Sequence, residues 1–232
     1  MSSLTQLLQN PQLWHGNRRN QNAGHNSLTT GYRALDEALH SGGWPLAGST
    51  ELLCERAGIG ELSLLLPALA QLGQQQRIAW LNPPFQPYAP ALAQAGLAPE
   101  HCLFIQTCKP RDTLWAAEQL LRASAFAAVI HWSDGAGLAD RDLRRLQLAA
   151  REQACWHIHL RALAVARQSS PAPLRLCLSA AADELDIELL KQAGGPAGQR
   201  LRLRRDERLL YKQQALTQWA VASDCPGRTP LA

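Results

Sequence analysis

From residue 50 to residue 160 the chain alternates short apolar runs with longer helical ones, and this alternation restricts what it can fold into. The runs at 50–54, 77–81, 102–106, 127–132 and 156–160 read as strands. The segments at 61–74, 88–95, 112–124 and 138–154 between them read as helices. Such a succession forms right-handed strand–helix–strand units, which build a parallel sheet with helices on both faces. The fourth run, Ala127 to Trp132, has no polar residue before His131 and reads as a central strand buried on both sides. Runs at 174–179, 185–190 and 201–205 read as antiparallel strands added at one edge. Pro67 falls inside the first long helix and is expected to kink it or displace its start. The Asn- and Gly-rich stretch at 16–28 reads as a linker. The chain of 232 residues thus divides into an N-terminal segment at 1–28, an α/β domain at 29–215 and a tail at 216–232.

In sheets of this kind ligands bind at the carboxyl ends of the strands. The loop after the first strand runs Glu55-Arg56-Ala57-Gly58-Ile59-Gly60-Glu61-Leu62. It stands where a phosphate-binding loop would, but that loop reads G-x-x-x-x-G-K-[ST]. Glu55 occupies the first Gly position, and Gly60 is followed by Glu61 and Leu62 instead of Lys and Ser or Thr. A carboxylate at the first helical position suits the helix dipole and would repel a triphosphate. Leu62 has no oxygen for Mg²⁺. Gly58, Gly60, Glu61 and Leu62 therefore read as a degenerate nucleotide-binding loop, with no cofactor and no catalytic residue expected.

Other features read as follows. A net charge of +4 is compatible with a nucleic-acid neighbourhood and does not require one. The six Cys are scattered without a C-x-x-C pair and read as reduced thiols. The first 13 residues have no basic region or long apolar run, so no signal peptide is expected, and no stretch suits a membrane span. The protein is accordingly expected in the cytoplasm. Cys155-Trp156-His157-Ile158-His159 places both His on one face of a strand, which reads as an edge or rim strand with no metal site. His131 reads as a strand-end residue. Ser133-Asp134 with His131 lacks the G-x-S-x-G elbow of a hydrolase. Arg200, Arg202 and Arg204 share one strand face, with Arg205 beside them. They read either as a charged edge that resists aggregation or as a contact for DNA or an acidic surface. Leu13, Trp14, Trp44 and Trp219 lie outside clear core elements and are candidate partner contacts.

Thr30-Gly31, Leu35-Asp36, Gly42-Gly43, Pro45, Gly48 and Glu51 resemble the entry to a RecA-type ATPase core. Trp14, Gly43-Trp44-Pro45, Gly58-Ile59-Gly60-Glu61-Leu62, Glu188-Leu189-Leu190-Lys191 and Gly194-Gly195-Pro196-Ala197-Gly198 are similar to the ImuA family. A shorter resemblance, to the SulA family, runs through Leu64-Leu65-Leu66-Pro67, Gln71 to Gln75 and Val129-Ile130-His131-Trp132. The first resemblance implies a RecA-like P-loop NTPase fold. Against that family's pattern, a catalytic Glu is expected after the second strand, where Asn82-Pro83-Pro84 stands. An Asp is expected at the end of the fourth strand, where Ser133 stands.

The ImuA resemblance implies a non-catalytic accessory of SOS-induced translesion DNA synthesis. Its implied partners are an ImuB-like polymerase homologue, an error-prone DNA polymerase, RecA and, weakly or indirectly, DNA. The SulA resemblance implies the alternative, an inhibitor of cell division that binds FtsZ. An enzyme is not expected on either reading.

Overall fold

A computed structural model describes residues 27–133 and 138–204. A two-stranded ribbon pairs β1 (Ser27–Leu28) with β2 (Trp44–Pro45), and α1 (Arg33–Ala38) lies between them in the chain. The main sheet has eight strands: β3 (Gly48–Cys54), β4 (Arg77–Leu81), β5 (Cys102–Ile105), β6 (Phe126–Trp132), β7 (Trp156–Ala162), β8 (Leu174–Ala181), β9 (Glu184–Gln192) and β10 (Arg200–Arg204). Their spatial order is β10-β9-β8-β3-β7-β6-β4-β5. Pairings from β8 across to β5 are parallel, and β8, β9 and β10 form the antiparallel edge. The helices are α2 (Glu61–Leu72), α3 (Ala89–Gln94), α4 (Pro110–Arg122) and α5 (Asp140–Glu152). This is the α/β, RecA-like architecture, with its mostly parallel sheet and antiparallel extension. Among the described residues no helix is long and apolar enough to cross a membrane.

The two faces of the sheet differ in chemistry. On one, Trp80, Ile130, Ile158, Leu52, Leu176 and Ile187 form a continuous apolar layer across the strands, packed with α1, α2 and α3 through residues such as Leu35, Leu65, Leu69 and Leu92. A fully buried side chain of this kind contributes about 1.5–3 kcal/mol. The other face is apolar only under α4 and α5, where Ala79, Leu81 and Val129 meet Ala117, Leu121, Leu146 and Ala149. Beyond that patch it turns polar: His131, then His157, His159 and Arg161 on β7, Glu51 on β3 and Arg175 on β8. These six side chains are nonetheless buried.

Pro67 leaves α2 unbroken. Proline has no N–H to offer the carbonyl four residues earlier, which here is Ser63. The Tyr32 hydroxyl donates to that carbonyl at 3.1 Å. Gly31 sits against the proline ring in a left-handed conformation, φ +84°, and a Cβ there would lie 2.7 Å from Pro67 Cβ. The Gly31-Tyr32 turn thus accommodates the proline and supplies a donor, and the helix continues past it to Leu72.

β7 corrects the sequence reading. It lies between β3 and β6, in the middle of the sheet, and every residue from Trp156 to Arg161 is buried. An edge assignment rested on its polar alternation, but the polar side chains are paired inside the protein instead of facing water.

Candidate functional site

The loop after β3 is closed by its own chain. Gly58 and Gly60 have φ of +80° and +117°, which turns their backbone N–H groups inward and suits only glycine well. Glu61, the first residue of α2, folds back over them. Its Oε1 accepts from the Gly58 N–H at 2.8 Å and its Oε2 from the Gly60 N–H at 3.1 Å. The carboxyl group therefore sits at the anion position of a loop-to-helix turn, where amide donors and the helix dipole favour negative charge. Burial raises the Glu61 pKa above the ordinary carboxyl value, and the surrounding backbone N–H groups pull it the other way. Ile59 plugs the turn, buried in the main apolar cluster. Leu62 packs at the rim of that cluster. Against the loop lies a cavity of about 50 Å³ lined by Cys54, Glu55, Arg56, Ala57, Glu61, Trp132, Leu160, Arg161 and Ala162. Sites for small ligands run to roughly 300–1,000 Å³.

The ends of β4 and β6 are likewise occupied by structural contacts. Asn82, at φ +55°, receives the Thr107 N–H on Oδ1 at 2.7 Å. Its amide donates to Thr107 Oγ1 at 2.9 Å and to Thr113 Oγ1 at 3.1 Å. The residue thus ties the end of β4 to the turn that starts α4. Ser133, after β6, shares a 2.8 Å hydrogen bond with His159 Nε2.

Beneath these ends lies a buried ion cluster that sequence reasoning missed. Glu51 Oε2 accepts from Arg175 Nε at 2.8 Å, and Oε1 accepts from Arg161 Nη1 at 3.3 Å and Ser170 Oγ at 2.6 Å. Arg175 also donates to the carbonyls of Val165, Ala166 and Gln168, which fixes the crossover between β7 and β8. The signal was the cross-strand register of Glu51, Arg161 and Arg175, which needs the strand order to be seen. Desolvation lowers the Arg161 pKa and Glu51 opposes that shift.

Next to it, His131, His157 and His159 stack. The His131 and His159 rings are 4.4 Å apart and inclined by 6°, and those of His157 and His159 are 5.3 Å apart. Burial pushes His131 down to about 3 and holds the other two well below the ordinary imidazole value. All three are neutral near pH 7. Position 131 is therefore part of a core cluster, and not simply a strand end.

The arginine strand is balanced by acids. Arg200, Arg202 and Arg204 stand opposite Glu188, Asp186 and Glu184 on β9. Arg200 pairs with Glu188 at 2.9 Å and Arg202 with Asp186 at 2.7 Å. The guanidiniums remain largely exposed, but each carries a nearby carboxylate, which weakens any field they present to DNA. Trp44 is fully buried, with its ring 5.4 Å from that of Trp156, so its expected role as an exposed contact does not hold. Trp14, Arg205, Leu13 and Trp219 lie outside the described residues.

A family model described as cell division inhibitor SulA matches residues 52–156. The matched segment, from β3 into β7, is similar to that family and covers less than half of the chain. Among solved structures, the RadB recombinase superposes with a TM-score of 0.60 at 18% identity, over 78% of this chain and 97% of that one. This likeness shows the RecA-like fold. SulA from Pseudomonas aeruginosa gives a TM-score of 0.41 at 24% identity, over 49% of this chain and 97% of that one. No curated protein matches the chain.

Proposed function

We propose that the chain is a non-catalytic, protein-binding derivative of a RecA-like ATPase core that serves the SOS response. The observation that carries this reading is Glu61: its carboxyl group already holds the loop amides that a nucleotide phosphate would need. A triphosphate would have to expel a buried acid, enter a cavity of about 50 Å³ and do so without a Lys or a Mg²⁺-binding hydroxyl. Calorimetry of the full chain with ATP·Mg²⁺ tests this, with no heat of binding expected at micromolar nucleotide. Micromolar affinity would overturn it.

Within the SOS response the reading is an ImuA-like accessory of translesion synthesis, acting with an ImuB-like polymerase homologue and an error-prone DNA polymerase. Its support is the extent of the chain: the SulA-family segment ends at Trp156, whereas the sheet continues through β8, β9 and β10, which carry the ImuA-like run Glu188 to Gly198. A SulA-like inhibitor of division is the second reading, favoured by the family match itself. Affinity capture from damage-induced cells separates the two. Recovery of an ImuB-like protein supports the first. Recovery of FtsZ, with filamentation on expression, supports the second and sinks the first.

A further inference from the structure

The stacked histidines pose a question that the nucleotide loop does not answer. Buried polar atoms are nearly always hydrogen-bonded, and each exception calls for an explanation. Here both ring nitrogens of His131 and Nε2 of His157 lack a partner, although all three rings are at least 99% buried. One ligand-capable nitrogen from each His lies within 4.8 Å of the other two. The strand register produces this arrangement: His131 stands opposite His159, and His157 lies two residues from it on the same face of β7.

We propose that His131, His157 and His159 bind one divalent transition-metal ion of the Zn²⁺ type and that the ion clamps β6 to β7. Three neutral imidazoles form a ligand set suited to Zn²⁺, with Zn–N bonds of about 2.0–2.1 Å. Tetrahedral geometry at that length puts the nitrogens about 3.4 Å apart. The nitrogens must close by about 1.4 Å from their widest allowed spacing, and the rings must turn out of their face-to-face stack so that their in-plane lone pairs converge on the ion. Partners for the remaining nitrogens are in place. Ser49 Oγ holds His157 Nδ1 at 2.8 Å, which leaves Nε2 for the ion. Ser133 Oγ holds His159 Nε2 at 2.8 Å, which leaves Nδ1. Hydrogen bonds of this kind fix tautomer and ring orientation in metal-binding histidines. Arg161, on the same strand face, opposes a cation, and Glu51, which it shares with Arg175, offsets part of that charge. The sequence pattern His-x-His on β7 was visible, but its third member lies 26 residues earlier and joins it only through the strand pairing.

The test uses the full-length protein, stripped of metal and then titrated with Zn²⁺ and, as a spectroscopic probe, with Co²⁺. The expected result is saturation at about one equivalent, a rise in the thermal midpoint, and the intense visible bands of tetrahedral Co²⁺ without thiolate charge-transfer bands. His131→Asn and His159→Asn should each weaken Zn²⁺ by at least about 10–100-fold, the loss typical even of an outer partner. His101→Asn should leave binding unchanged. The Co²⁺ spectrum of the unsubstituted chain provides a readout even where a variant fails to fold. Absence of binding, an octahedral or thiolate spectrum, or affinity unaltered in a folded His131→Asn protein would each overturn the assignment.

Discussion

Glu61 is the most informative residue to change. Glu61→Ala removes the acceptor for two backbone N–H groups. Gly58 is exposed, so water replaces the carboxyl group there, but Gly60 is buried and its N–H is left without a partner. A buried orphan donor costs about 1–3 kcal/mol. Loss of the acid at the start of a helix costs about 0.3–1 kcal/mol more. The expected destabilisation is therefore about 1.3–4 kcal/mol, read as a lowered urea midpoint at unchanged slope. Glu61→Gln keeps the volume and one acceptor oxygen, and should cost less.

The pH dependence of that difference separates the two forces acting on the carboxyl group. Burial raises its folded pKa above the unfolded value near 4.5. A group with a raised folded pKa contributes stability that is complete below the unfolded pKa and is lost as pH rises through the folded one. Gln does not titrate. The advantage of the native protein over Glu61→Gln should therefore be largest near pH 4 and shrink toward pH 7. Denaturant titrations at both pH values check this. An advantage that grows with pH would mean that the amide donors outweigh burial, and would refute the assigned direction.

Three further outcomes are expected. Glu51→Gln leaves two buried guanidiniums around a neutral side chain and should destabilise by about 3–5 kcal/mol, whereas Glu51→Leu with Arg161→Met and Arg175→Leu should recover much of that loss; denaturant midpoints decide. Tyr32→Phe removes a donor to the Ser63 carbonyl and should cost about 0.5–1.5 kcal/mol, a loss that should shrink in a Pro67→Ala background where the helix supplies its own N–H. Burial pushes Cys155 up to about 12, and its side chain is enclosed, so in the folded protein it should react with a thiol reagent at neutral pH more slowly than the partly exposed Cys177, as mass spectrometry of alkylated peptides will show.

The elements were legible from the sequence because their patterns are local. The helix at 61–74 and the strands at 77–81 and 127–132 follow from apolar runs bounded by Gly and polar turns, and they lie within a few residues of those expected. Glu61 was also legible as a capping acid, since its place after Gly60 and before an apolar helix is a local fact. Strand order was not. Nothing between residues 162 and 174 says that β8 pairs with β3, so Glu51, Arg161 and Arg175 could not be joined. β7 was misplaced for the same reason: Trp-His-Ile-His-Leu-Arg has the alternation of a half-exposed strand, and only its neighbours show that both faces are buried. Trp44 was misjudged because its two-residue strand is too short to show a period.

On the proposed function, the three strand ends belong to a core that has exchanged turnover for rigidity. A catalytic site needs groups left free to meet a substrate, and at each end one polar side chain is committed to a contact within the protein. Glu61 closes the loop after β3, Asn82 ties β4 to the start of α4, and Ser133 binds the histidine stack from the end of β6. Restoring one group would therefore not restore chemistry. A Glu61→Lys, Leu62→Thr protein would regain the phosphate-binding pair but would still have Ile59 as a plug, Trp132 lining the small cavity and Asn82 in place of a base. It should show no DNA-dependent ATP hydrolysis in a coupled phosphate-release assay. Turnover by that double variant would mean that the rest of the active centre survives in a form able to rearrange, and the case for a purely protein-binding core would fail.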